Sequence, residues 1–197
     1  MKKLLVAGAL LLASSQAFSE VITYKETASF GTQGSFNDVT IGEGLNETLT
    51  INAFNSALGR LTGVSIDVFS QIDTQGNSQN ISNGTAVSTF RLTLDEDWAV
   101  SSSVFNHTFE SARRIFKVEE LNHLAGETFD YGHLNSYKTS SFDASDLSAF
   151  TSNIDFTFVV DAFGGFSNTA SVADAEFVNT SFSAAWGQVD VTYTYDN

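Results

Sequence analysis

Apolar and polar residues alternate with a period of two along most of this chain, and this alternation restricts the possible folds more than any other feature of the sequence. Successive side chains of a β-strand point to opposite faces, so a two-residue period is typical of strands with one buried face. We predict strands at 21–30, 61–69, 85–94, 104–109, 114–118, 154–163, 175–182 and 188–195. Many short strands of this kind indicate an all-β fold, an antiparallel β-sandwich of the jelly-roll or immunoglobulin-like type.

Turns and helices fill the remaining sequence. Stretches rich in Gly, Asn and Ser at 73–85 and 161–171 are predicted to be turns, since the chain has no proline and these residues favour turns. The pair Gly164 and Gly165 is interpreted as part of the second turn. A helical signal occurs at 143–150, where an aspartate cap would start one or two turns. We therefore expect at most one short helix.

The N-terminus has the three parts of a secretory signal peptide. Lys2 and Lys3 precede ten apolar residues at 4–13, and small residues follow up to Ser19. Cleavage before residue 20 is expected, with a cut after Ala17 as the alternative. A retained membrane anchor is disfavoured because a spanning helix needs about 20 apolar residues. We predict a signal peptide at 1–19 and a single sandwich domain at 20–197.

Charge and cysteine content exclude several classes of function. The chain has 9 Lys+Arg and 23 Asp+Glu; removal of the leader with its two lysines leaves 7 minus 23, a net charge of −16. Such a charge repels nucleic acid and anionic lipid, which require basic surfaces. The absence of cysteine excludes disulfides, a lipid-acylated N-terminus, thiol catalysis and cysteine-ligated metals.

Two features suggest metal binding, and neither has the spacing of a known site. His107, His123 and His133 are separated by 16 and 10 residues, which matches no compact ligand motif. The acidic segment 95–99 offers oxygen ligands but lacks the spacing of a calcium loop. We interpret the histidines as separate and the acidic segment as a solvated hairpin tip. No metal and no cofactor are therefore predicted.

Catalytic and sugar-binding residues are weakly indicated. Glycoside hydrolysis needs two carboxylates, and the candidates considered are Asp143, Asp146, Asp155 and Asp161. With 23 acidic residues in the chain, a pair chosen without geometry assigns no catalytic residue. The Gly-x-Ser-x-Gly motif of serine hydrolases is absent. Aromatic side chains could stack on sugar rings, but we interpret them as core or interface residues; the candidates considered are Trp98, Trp186 and Tyr131.

Three segments resemble the choice-of-anchor E domain of exported bacterial proteins. The first, 54–68, carries the family's pattern at Phe54, Asn55, Leu58, Gly59, Leu61, Gly63 and Val64, with Ser56 in place of the usual proline. The second is 147–160, with Ser152 where glycine is common, and the third is the closing strand 189–195. Gly59 and Gly63 also bracket a strand start, where a turn or bulge favours glycine. The resemblance implies a fold and an exported protein, but no catalytic mechanism.

The closing strand predicts a structured C-terminus. Its alternation places Val189, Val191, Tyr193 and Tyr195 on a buried face, and Asp190, Thr192 and Thr194 on a polar one. We expect a released protein of the periplasm or the medium, with a non-enzymatic structural or binding role. Its expected partners are extracellular polysaccharide or another surface protein. The alternatives are a carbohydrate hydrolase and a calcium-stabilised adhesion module.

Overall fold

A computed structural model describes residues 20–35, 45–104, 106–170 and 175–197, so the predicted signal peptide lies outside the described residues. Within these ranges the chain forms eight β-strands: β1 (Val21–Phe30), β2 (Leu45–Ile51), β3 (Arg60–Asn80), β4 (Ala86–Ser102), β5 (Asn106–His123), β6 (Thr128–Asp143), β7 (Ile154–Ala170) and β8 (Phe177–Asp196). Short 3₁₀ helices cover Ser56–Leu58 and Leu147–Thr151. No helix in this part of the chain is long and apolar enough to cross a membrane.

The strands form two four-stranded sheets with the orders β1-β8-β3-β6 and β2-β7-β4-β5. The paired neighbours are antiparallel. Strands adjacent in the chain mostly lie in different sheets, and the chain crosses repeatedly from one layer to the other. This order is the jelly-roll topology, which buries one face of each sheet against the other. The predicted antiparallel β-sandwich is confirmed, in its jelly-roll form.

Inward-facing residues of both sheets form one apolar core. Phe158 of β7 lies at its centre, with its ring centroid 5.3 Å from that of Phe30 and 6.4 Å from that of Trp98. Phe158, Trp98, Val189 and Val191 are all fully buried. Full burial of one large apolar side chain contributes about 1.5–3 kcal/mol relative to exposure, so this cluster dominates the stability of the fold.

Two stretches predicted to be turns are strands instead. β3 continues through the first stretch to Asn80, and β7 continues through the second to Ala170. Gly164 and Gly165 pair with Leu94 and Thr93 of β4, so they do not form a turn. In β3 the apolar period ends because its inward residues beyond position 72 are polar. They form hydrogen bonds to other elements, such as the one between Thr74 and Ser183 of β8. Alternation of hydrophobicity cannot reveal such a strand.

The acidic segment 95–99 is also not a hairpin tip. It lies inside β4, which is paired on one side with β5 and on the other with β7. Asp97 lies opposite Asp161, and Trp98 lies opposite Val160. Because both edges of β4 are paired here, the segment belongs to the centre of its sheet.

Some predicted strands merge and two strands were not predicted. The predictions at 104–109 and 114–118 belong to β5, and those at 175–182 and 188–195 both belong to β8. The inward residues Ser183 and Gly187 interrupt the apolar period of β8. β2 and β6 were not predicted, because polar residues such as Glu47 in β2 and Ser136 in β6 occupy positions on their inward faces.

Two local predictions are confirmed: a turn or bulge at Gly59 and Gly63, and a short helix capped by an aspartate. Gly59 has a φ of 143°, and a Cβ there would collide with the carbonyl oxygen of Asp196. Gly63 lies at a register shift between β3 and β8. The helical signal is the 3₁₀ helix Leu147–Thr151, whose cap Asp146 accepts a bond from the Ser148 backbone nitrogen at 2.9 Å.

The closing strand β8 is integral to the fold, as predicted, since it lies between β1 and β3. Its four predicted inward residues are buried. Asp190 lies on the predicted polar face, and it is only 5% exposed. Lys25 Nζ lies 3.0 Å from its carboxylate, and Thr27 and Gln188 donate to it at 2.8 and 2.9 Å. Neighbouring outer side chains therefore cover this carboxylate and satisfy it.

Candidate binding face

The outer face of the sheet β1-β8-β3-β6 carries the most promising group of side chains. Along β3 the outward positions include Gln71, Asp73, Gln75 and Asn77, which we call the β3 outer row. The backbone register places Trp186 of β8 and Tyr137 of β6 on either side of Gln71. The central strand thus holds an amide between two aromatic rings supplied by its neighbours.

Trp186 and Tyr137 form a nearly parallel aromatic pair. Their ring centroids are 6.4 Å apart and their planes differ by 12°. Tyr137 is 45% exposed and Trp186 only 8%, while Gln71 between them is buried. Trp186, which the sequence suggested as a sugar-binding residue, is therefore buried and can only support its neighbour. The exposed ring of the pair is that of Tyr137.

Asp73, the next outward residue of β3 after Gln71, is buried beside this pair. Gln71 Nε2 donates to its Oδ2 at 2.8 Å, and the residue is 5% exposed. Burial raises the pKa of the Asp73 carboxyl, while the Gln71 hydrogen bond and the positive charge of His133 act to lower that pKa. Burial has the largest effect because water no longer solvates the charged form.

An open pocket of about 320 Å³ lies farther along the same face. It is lined by Gln75, Gly76, Asn77, Thr128 and Asp130. The pocket coincides with a register shift between β3 and β6. There Gly132 adopts a φ of 71° and its backbone nitrogen donates to Asp130 Oδ1 at 2.8 Å. The bulge opens the surface between two otherwise regular strands, as bulges at functional sites commonly do.

The other aromatic candidates lie elsewhere. Trp98 is a core residue, 6.4 Å from Phe158 by ring centroid, so packing is its role. Tyr131 lies in the backbone bulge of β6, and its side chain lies outside the described residues.

The structure does not bring the three histidines together. His107 and His123 lie 16 residues apart in the single strand β5, which is about 50 Å at the rise of a β-strand. His123 is buried, with Nε2 2.9 Å from the Glu127 carbonyl oxygen and its ring 5.4 Å from that of Phe177. His133 lies on the outer face of the first sheet. Among the described residues, no group of three or more His, Asp or Glu side chains could hold a metal ion.

The candidate carboxylates are also dispersed. Asp143 lies opposite Ser65 in the first sheet, whereas Asp155 lies in the second sheet and accepts a bond from Thr50 at 2.7 Å. Asp146 caps a helix, and its hydrogen bonds from Ser148 hold its pKa below the ordinary value. The side chain of Asp161 lies outside the described residues. Asp143 and Asp155 therefore cannot act together as a hydrolytic pair.

Sequence reasoning did not select Tyr137, Gln71 or Asp73. Their proximity depends on the register of β8, β3 and β6, which are far apart in the chain. The periodicity of one segment contains no information on that register. A tyrosine in an otherwise polar segment was the only signal of Tyr137.

Comparison with known proteins leaves the family open, because no family model and no curated protein matches the chain. One similar solved structure is described as the structure of the infectious bursal disease virus Gx strain, with 12% identity and a TM-score of 0.21. The match covers 91% of this chain and 42% of the viral chain, so this chain spans less than half of that protein's length. So low a TM-score carries no argument about fold or function.

Proposed function

We propose that this chain is an exported, non-enzymatic binding protein that holds polysaccharide on the outer face of the sheet β1-β8-β3-β6. The observation that carries the proposal is the exposed Tyr137 ring, which lies next to the nearly parallel Trp186 ring on the outer surface of the sheet. The signal-peptide pattern at 1–19 and the resemblance to the choice-of-anchor E domain support export and release outside the cytoplasm.

The chemistry of this face suits a sugar. A pyranose ring has an apolar face of C–H groups, which packs against an aromatic ring, and an edge of hydroxyls, which need hydrogen-bonding partners. Tyr137 supplies the ring. Asn135 and His133, at the next outward positions of β6, are exposed and supply donors and acceptors. An exposed aromatic side chain beside such polar groups offers a sugar both an apolar and a hydrogen-bonding contact.

A hydrolytic function has less support. Asp143 and Asp155 lie in different sheets, and the aromatic face carries a carboxylate, Asp73, that is covered by its neighbours. Binding without cleavage is therefore the function that we propose.

The proposal is tested by affinity electrophoresis and calorimetry of the 20–197 chain against a panel of neutral and anionic polysaccharides. Tyr137→Ala should weaken binding about tenfold, a change that corresponds to about 1.4 kcal/mol. Tyr137→Phe keeps the ring and should retain most of the affinity. Val159→Ala, at a residue 44% exposed on the opposite sheet, is the matched control. Failure of every polysaccharide to bind, or wild-type affinity for Tyr137→Ala, would overturn the proposal.

A further inference from the structure

We infer that the ligand is a non-anionic glycan chain lying along β3, held at one end by Tyr137 and at the other by the pocket beside Asn77. The inference rests on the proposed function and extends it to a second subsite and a ligand class. Its basis is that the aromatic pair and the pocket occupy the same face and are joined by the β3 outer row.

The distance between the two sites sets the size of the ligand. The aromatic pair flanks Gln71, and the pocket is lined by Gln75 and Asn77. Four to six residues of β-strand extend about 13–20 Å. One sugar cannot contact both sites at this separation, so the geometry requires several linked sugar units.

Polar side chains occupy the surface between the two sites. Gln75 of β3 lies opposite His133 of β6, and Asn135 of β6 lies opposite Asp73. Gln75, His133 and Asn135 are exposed. Amide and imidazole groups both donate and accept hydrogen bonds, as the hydroxyls of an intermediate sugar unit would require.

The pocket has the size and chemistry of a sugar subsite. Its volume of about 320 Å³ lies within the range of small-molecule sites, about 300–1,000 Å³. The amides of Gln75 and Asn77 offer donors and acceptors, Thr128 offers a hydroxyl and Asp130 offers carboxylate oxygens. The Asp130 bond to Gly132 also fixes the carboxylate relative to the bulge.

Charge restricts the class of glycan. Asp130 lies in the pocket and Asp73 beneath the path toward it, and the whole chain carries a net charge of −14. Carboxylate or sulfate groups on a polymer would be repelled by these charges. Neutral sugars carry hydroxyl groups and no charged groups, so they avoid this repulsion.

The experiment compares a disaccharide with a hexasaccharide, using the cello-, laminari- and malto-oligosaccharide series in calorimetry with the 20–197 chain. The hexasaccharide should bind at least tenfold more tightly than the disaccharide. Asn77→Ala should weaken hexasaccharide binding about fivefold and leave disaccharide binding unchanged, because only the longer ligand reaches the pocket. Tyr137→Ala should weaken both. Thermal melts check that the exposed-site variants fold, with Val159→Ala as control.

Three results separate the inference from the function on which it rests. Tyr137-dependent binding with equal affinity for both lengths, or with equal effects of Asn77→Ala on both, contradicts the second subsite and leaves the proposed function intact. Tyr137-dependent binding of polygalacturonate as tight as that of the neutral chains contradicts the charge argument alone. Failure of all oligosaccharides and polysaccharides to bind overturns both proposals.

Discussion

The inward side chains of β8 have apolar surroundings in one half of the strand and polar surroundings in the other. Residues 187–196, the near half, place Val189, Val191 and Tyr193 in the apolar core. Residues 177–186, the far half, place Ser183 inward, where it bonds to Thr74 at 2.7 Å. The same strand therefore relies on apolar packing at one end and on buried hydrogen bonds at the other.

β3 shows the same change along its length. Its inward residues up to Ile72 are apolar apart from Ser70, and beyond Ile72 they become Thr74, Ser78 and Asn80. Ser78 donates to Asn179 at 2.7 Å, and Asn80 donates to the His123 carbonyl oxygen at 2.7 Å. A buried hydrogen bond contributes about 0.5–1.5 kcal/mol net, less than a buried Phe or Val. We conclude that the near half supplies most of the stability.

Sheet pairing reinforces the difference. β1 pairs with β8 over residues 187–196, so in the near half β8 has described strands on both sides. In the far half its described partner is β3. The aromatic pair lies at the boundary between the halves and the pocket lies on the far one. A glycan laid across both would therefore stabilise the weaker half on binding, since it would bind only the folded form.

The largest expected effect is in the apolar core against which the near half of β8 packs, where Phe158 of β7 lies beside Gly187. Phe158→Ala removes a fully buried ring between Phe30 and Trp98, and it should lower the free energy of unfolding by about 3–5 kcal/mol through lost burial and a residual cavity. Denaturant melts measure the loss. If the variant is too unstable to fold, Phe158→Leu should still show a smaller loss.

The control is the next residue in the strand. Val159 points outward and is 44% exposed, so Val159→Ala should change stability by no more than about 0.5 kcal/mol. Equal losses for the two positions would mean that the near half has no apolar core.

A smaller effect is expected in the far half. Replacing both hydroxyls of the buried pair, Thr74→Val with Ser183→Ala, should change stability by less than about 1 kcal/mol, because neither partner is left unsatisfied. Ser183→Ala alone should cost about 1–3 kcal/mol, because the Thr74 hydroxyl then loses its partner. A double-mutant cycle measures the coupling, and additive losses would show that the hydrogen bond does not stabilise this half.

These contrasts explain which elements the sequence could predict. Strands with apolar inward residues, such as β1 and the near half of β8, were predicted because hydrophobic alternation reports burial. The far half of β3 was mistaken for a turn because Thr74, Ser78 and Asn80 are buried and polar. Asp190 was placed correctly on the polar face, but its coverage by Lys25 depends on the strand order and could not be predicted. Tyr137 could not be selected as a site residue for the same reason.

Amide hydrogen exchange along β8 tests the central difference between the halves most directly. The comparison is restricted to amides that bond to β3, since β3 pairs with β8 along its whole length. We predict that amides of residues 187–196 exchange only through global unfolding, and that amides of residues 177–186 exchange through a local opening of lower free energy. Equal protection in the two halves would show one uniformly stable sandwich and would contradict this account.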